Sequence, residues 1–125
     1  MTIYTITTFE KYEIDHNTNG NIEVKTGDVR TIGFYSDLNI AMSDVEHNSC
    51  DMYEGCYEYV LIEGFQEGLY CFPSVLPRFL YKFNKQTKHY EQIDMPALLE
   101  VIPFAMGKLK IKIEHKITIK RSELL

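Results

Sequence analysis

The stretch Lys108–Lys120, KLKIKIEHKITIK, repeats with a period of two. Leu109, Ile111, Ile113, His115, Ile117 and Ile119 take odd positions, and Lys108, Lys110, Lys112, Lys116 and Lys120 take even ones. Successive side chains of a β-strand point to opposite faces, so this pattern specifies a strand and excludes a helical stripe. The alternation holds through His115, so one continuous strand is expected. At ~3.3 Å per residue such a segment spans about 40 Å, well beyond the usual strand. It therefore bends, or outruns its own sheet and pairs with another chain. The apolar row requires a dry surface, while the lysines keep an otherwise aggregation-prone edge soluble.

Elsewhere the same period recurs in shorter pieces. Residues 2–14, TIYTITTFEKYEI, are rich in Thr, Ile, Tyr and Phe and read as a strand. Asn19-Gly20 tolerates positive φ at both positions and marks a hairpin turn, with NIEVKT as the returning strand. Thr26-Gly27-Asp28 predicts a second turn and VRTIGFY (29–35) a third strand, making a meander. YEYVLIEGF (57–65) is apolar on both alternations, as in a strand covered on both faces at the centre of a sheet. LYCF continues as another strand, and RFLYKF (78–83) and HYEQI (89–93) flank a polar loop as a hairpin.

The period changes in SDLNIAMSDVEHN. Leu38, Ala41, Met42 and Val45 fall at i, i+3, i+4 and i+7, predicting a helix over about 37–48 with Ser36 or Asp37 as its cap. Asp94 and Pro96 open a second, shorter helix over about 96–104, which Pro103 ends or kinks. Together these elements predict one α+β domain on a mainly antiparallel sheet of meander and hairpins. Residues 1–107 form its core, and 108–125 are a basic C-terminal strand or arm of the same domain.

The junction Gly33-Phe34-Tyr35-Ser36-Asp37-Leu38-Asn39-Ile40-Ala41 resembles the strand-to-helix junction of small uncharacterised bacterial domains, G-x-Y-S-S-x-x-x-A. Gly33, Tyr35, Ser36 and Ala41 match, and Asp37 stands in place of the second Ser while keeping its capping ability. The resemblance implies a compact α+β domain of bacterial or phage origin and carries no activity.

Length and composition narrow the function classes. The 125 residues suit one domain, and 45% hydrophobic residues argue against disorder. The N-terminus has no basic region followed by a long apolar core, and no apolar run approaches the ~20 residues of a membrane span, so a cytoplasmic protein is expected. Cys50, Cys56 and Cys71 are odd in number, which rules out a complete disulfide framework within one chain. In HNSCDMYEGC, His47, Cys50, Asp51 and Cys56 are too widely spaced for the tightly paired ligands zinc sites favour, so no metal and no cofactor is expected. Phosphate loops, nucleophile elbows and H-E-x-x-H motifs are absent.

Charge supplies the remaining signal. Residues 1–107 carry 7 basic and 16 acidic residues (7 − 16 = −9), and residues 108–125 carry 6 and 2 (6 − 2 = +4). Asp51, Glu54, Glu58, Glu63 and Glu67 surround the predicted central strand, interleaved with Tyr53, Tyr57, Tyr59 and Tyr70. A dense acidic surface fits a basic cleft on another protein, and tyrosines supply rigid contact area. Alternatively, the tyrosines line the core with their hydroxyls at its edge. The expectation is a non-enzymatic inhibitor or immunity-type protein that binds a basic partner through Asp51, Tyr53, Glu54, Tyr57, Glu58, Tyr59, Glu63 and Glu67. Lys108, Lys110, Lys112, Lys116, Lys120 and Arg121 would instead serve an oligomer contact, as in a homodimer through the C-terminal strand, or an anion. A nucleic-acid or nucleotide-phosphate binder using these residues is the alternative. It is disfavoured by the acidic body and by the lack of aromatics among the lysines. An enzyme of an unrecognised kind is the third reading.

Overall fold

The computed structural model describes residues 2–16, 21–69, 77–96 and 115–120. Among these residues, eight strands and one α-helix follow in the order β1 (Thr2–Phe9), β2 (Glu13–His16), β3 (Asn21–Gly27), β4 (Val29–Tyr35), α1 (Leu38–Glu46), β5 (Tyr59–Gln66), β6 (Arg78–Asn84), β7 (His89–Ile93) and β8 (His115–Lys120). The expected helix over 96–104, the strand LYCF beyond Leu69, and Lys108, Lys110, Lys112 and Arg121 lie outside the described residues.

All strand pairings are antiparallel, in a five-stranded sheet ordered β4-β1-β5-β6-β7 and a three-stranded sheet ordered β2-β3-β8. The expected α+β class with a mainly antiparallel sheet is therefore what the chain forms. β5 is the middle strand of the larger sheet, as its two-sided apolar pattern requires, and its residues Val60, Leu61, Ile62, Glu63 and Gly64 are all buried.

The N-terminal third departs from the expected meander. β1 pairs with β4 and β2 pairs with β3, so the four strands are two successive segments of one long hairpin. Thr26-Gly27-Asp28 is consequently a bend in the returning arm, not a reversal. The outgoing arm breaks at the same level, between Phe9 and Glu13. Across the bend, the Glu10 N–H donates to the Asp28 carbonyl (3.2 Å), the Lys11 N–H to the Thr26 carbonyl (3.0 Å), and the Asp28 N–H to Glu10 Oε1 (2.9 Å). Gly27 makes the bend feasible: its φ is +69°, and a Cβ there would sit 2.9 Å from the Glu10 Cβ. The hairpin thus leaves one sheet and enters the other without losing its pairing.

β8 pairs with the chain's own β3, its register setting Ile119 opposite Ile22, Ile117 opposite Val24 and Lys116 opposite Lys25. Apolar positions therefore align with apolar positions across the strands.

Two clusters bury the apolar side chains, one on each face of the larger sheet. α1 covers the first with Ala41 and Val45, packed over Ile6, Val60, Ile62, Tyr81, Phe83 and Tyr90. Leu38 and Met42, the other members of the helical stripe, are half-buried against the same cluster. Full burial of an aliphatic side chain such as Val45 contributes roughly 1.5–3 kcal/mol, far more than helix propensity supplies over a nine-residue helix. On the second face Phe9, Leu61 and Leu80 are fully buried, with Tyr12, Val29, Tyr59 and Met95 packed against them.

Candidate functional site

Asp37 caps α1 as its type and position require: its Oδ1 accepts the N–H groups of Asn39 (2.8 Å) and Ile40 (3.2 Å). With Ala41 and Val45 turned inward, Ile40 stays 53% exposed. Asp37, whose carboxylate caps the helix, and Asp44, half-buried with its carboxylate on the Tyr35 hydroxyl, stand three residues before it and four after it.

Beyond the helix the backbone turns sharply. Asn48, Cys50, Asp51 and Glu54 all adopt positive φ, from 47° to 57°. Non-glycine residues rarely do so, and each such residue costs of order 1–3 kcal/mol. The Asn48 side chain offsets part of this by accepting the Tyr53 N–H (3.0 Å) and donating to Asp51 Oδ1 (3.3 Å). The N–H groups of Cys56 and Tyr57 both donate to the Tyr53 carbonyl at 2.9 Å. Below the turn Met52 is buried, and the Tyr53 ring stacks on Phe83 with centroids 3.9 Å apart. The result is a pinned, exposed ridge running from α1 to Cys56.

The residues expected to bind a partner divide on this frame. Asp51, Glu54 and Glu67 are exposed, and Tyr53, Glu58 and Tyr59 are half-buried. Glu54 accepts from Arg30 (3.3 Å), and Glu58 pairs with Lys85 at 3.7 Å. Tyr59 stacks on Phe9 at 5.0 Å. Two residues do not belong to the surface. Tyr57 is buried, its hydroxyl donating to Asp28 and its carbonyl accepting from the Tyr90 hydroxyl at 2.6 Å. Glu63 is wholly buried against Arg78, because strand alternation turns it into the second face of the sheet. Tyr57 belongs to the buried core, and Tyr53 and Tyr59 pack against the two clusters. Lys116 and Lys120 lie in β8, opposite Lys25 and Asn21.

Electrostatically the ridge is mainly acidic, with Arg30 paired to Glu54 on its flank. Between Arg30 and Arg78 the sequence has no Lys or Arg but eight acids: Asp37, Asp44, Glu46, Asp51, Glu54, Glu58, Glu63 and Glu67. Among the described residues, no ion pair neutralises Asp37, Asp44, Glu46 or Asp51. Asp44 accepts the Tyr35 hydroxyl at 2.5 Å, and this bond, with some burial, pushes the Tyr35 pKa up to about 12. Burial and the bond to Asp28 push Tyr57 up to about 12 as well.

In comparisons with protein-family models, curated proteins and solved structures, nothing matches this chain. The site's own geometry carries the functional argument.

Cys50 and Cys56 are exposed free thiols on the ridge. Burial of the sulfur, then the charges of Glu10 and Glu54, raise the Cys56 pKa, which is the opposite of what an activated nucleophile needs. Among the described residues no group of three or more His, Cys, Asp or Glu side chains is arranged to hold a metal. No described helix is long and apolar enough to cross a membrane.

Sequence reasoning missed Arg30, whose guanidinium lies 4.9 Å from the Tyr57 ring centroid, and Asn48, the strut of the turn. It also missed that His89 comes to rest beside His47. Asn48 had a local signal, since Asn tolerates positive φ best. The other two had none.

Proposed function

We propose that this chain is a small non-enzymatic binding protein of bacterial or phage origin, acting in the cytoplasm. Its acidic helix-and-turn ridge occupies a basic site on a partner protein, as an inhibitor or immunity protein does. The observation that supports this most is Ile40, exposed on a pinned ridge where Asp37, Asp44, Glu46 and Asp51 have no ion pair among the described residues. A rigid ridge loses little conformational entropy on binding, its net negative charge steers a basic partner in, and an exposed apolar side chain supplies contact energy. The nucleic-acid reading is weaker, because residues 31–77 carry eight acids and no Lys or Arg to meet a phosphate backbone.

The test is affinity capture from the native host with the wild type, Ile40→Asp, and Asp51→Asn with Glu54→Gln. The expected result is one protein with a basic contact surface, held at least about tenfold more weakly by each variant. Its association rate should fall as salt rises. Retention of nothing by the wild type, retention of nucleic acid, or equal retention by the variants overturns the proposal.

A further inference from the structure

We infer that the C-terminal end of α1 and the start of β7 form a binding site for a single divalent transition-metal ion, held by Nε2 of His47 and Nε2 of His89. The two imidazoles come from distant parts of the chain, yet their centroids lie 5.7 Å apart with planes at 83°. Each ring is oriented by a backbone carbonyl at the end of α1. His47 Nδ1 bonds the Ser43 carbonyl at 2.7 Å and His89 Nδ1 the Glu46 carbonyl at 3.1 Å. A carbonyl oxygen only accepts, so each neutral ring carries its proton on Nδ1 and presents a lone pair at Nε2. This is the arrangement by which ligating histidines are commonly oriented and made more basic.

The surroundings select the charge of the ligand. The two rings open on a depression of about 410 Å³ lined also by Glu46, Tyr90, Glu91 and Gln92, with no Lys or Arg among the described residues. Carboxylates on the rim and helix carbonyls behind the rings repel an anion and favour a cation. Imidazole nitrogen favours zinc, copper or nickel over magnesium or calcium. Among the described residues no third protein ligand is arranged for the ion, so water completes its coordination.

Zinc is titrated calorimetrically into the full chain carrying Cys50→Ser, Cys56→Ser and Cys71→Ser, which removes all three thiols as competitors. Proton NMR of the four histidines is followed in parallel. The expected result is saturable binding of one ion that shifts two histidine spin systems, with no binding of magnesium. Affinity should fall roughly tenfold or more in His47→Gln and again in His89→Gln. His16→Gln, in the other sheet, should leave it unchanged. Both substituted rings are exposed, and unfolding midpoints without metal should match the parent. Absence of saturable binding, shifts in other histidines, or loss in only one variant overturns the inference. The NMR arm decides the matter even if a variant misfolds.

Discussion

Arg78 stands directly opposite Glu63 on the paired strands β6 and β5, and its Nε and Nη2 both donate to Glu63 Oε2, at 3.0 and 2.9 Å. Both side chains are withdrawn from solvent, with exposures of 7% and 0%. Removing one member of a buried pair strands the other charge, which typically costs about 3–5 kcal/mol, whereas apolar replacement of both is often near neutral. Arg78→Met is therefore expected to destabilise by about that amount in urea denaturation, and Glu63→Leu with Arg78→Met to cost less than Arg78→Met alone. A double variant worse than the single would show that the pair itself is favourable here.

Gly27 holds the bend where the long hairpin changes sheets. Gly27→Ala forces an L-residue to φ +69° and drives a methyl to 2.9 Å from the Glu10 Cβ. A loss of about 1–3 kcal/mol is expected, measured as a lowered denaturation midpoint. Wild-type stability in this variant would mean the bend relaxes freely.

Alkaline pH should unfold the protein through its tyrosines. An unfolded tyrosine loses its proton near pH 10, while Tyr35, Tyr57 and Tyr81 hold theirs up to about 12. The cause is the Asp44 bond for Tyr35, and burial first for the other two. Tyr90 is raised further in the same direction by burial. The folded state thus binds these protons more tightly, so their stabilising contribution is whole below pH 10 and is lost as pH rises towards 12. Denaturation midpoints should decline across that window, with a shallower decline in Tyr35→Phe. Tyrosinate absorbance tracking the unfolded-chain curve in the folded protein would contradict this.

Tyr81 buries a hydroxyl that finds no hydrogen-bond partner among the described residues. An unsatisfied buried donor costs about 1–3 kcal/mol, so Tyr81→Phe is expected to stabilise the metal-free protein by about 1 kcal/mol in urea denaturation. A loss of similar size would reveal a partner for that hydroxyl, such as an ordered water.

Much of the fold was legible in local pattern. The stripe Leu38, Ala41, Met42 and Val45 with Ser36 and Asp37 before it located α1 and narrowed its cap to two residues, because helical period and capping are properties of adjacent residues. The two-sided apolar run located β5 at the sheet centre for the same reason. Of the candidate surface, the acids at Asp51, Glu54 and Glu67 were legible as exposed groups, whereas Glu63 was not distinguishable from them. Its burial depends on which face alternation turns inward and on the arginine waiting across the strand.

By itself, then, the sequence determined the period of each segment, the helix with its cap, and a one-sided charge over residues 31–77. These follow from chemistry between neighbours along the chain. Only the tertiary structure decided that four N-terminal strands make one bent hairpin, that Glu63 leaves the acidic surface for Arg78, and that His89 meets His47. Those outcomes rest on register between strands far apart in the chain, where a shift of a single residue exchanges every inward side chain for an outward one.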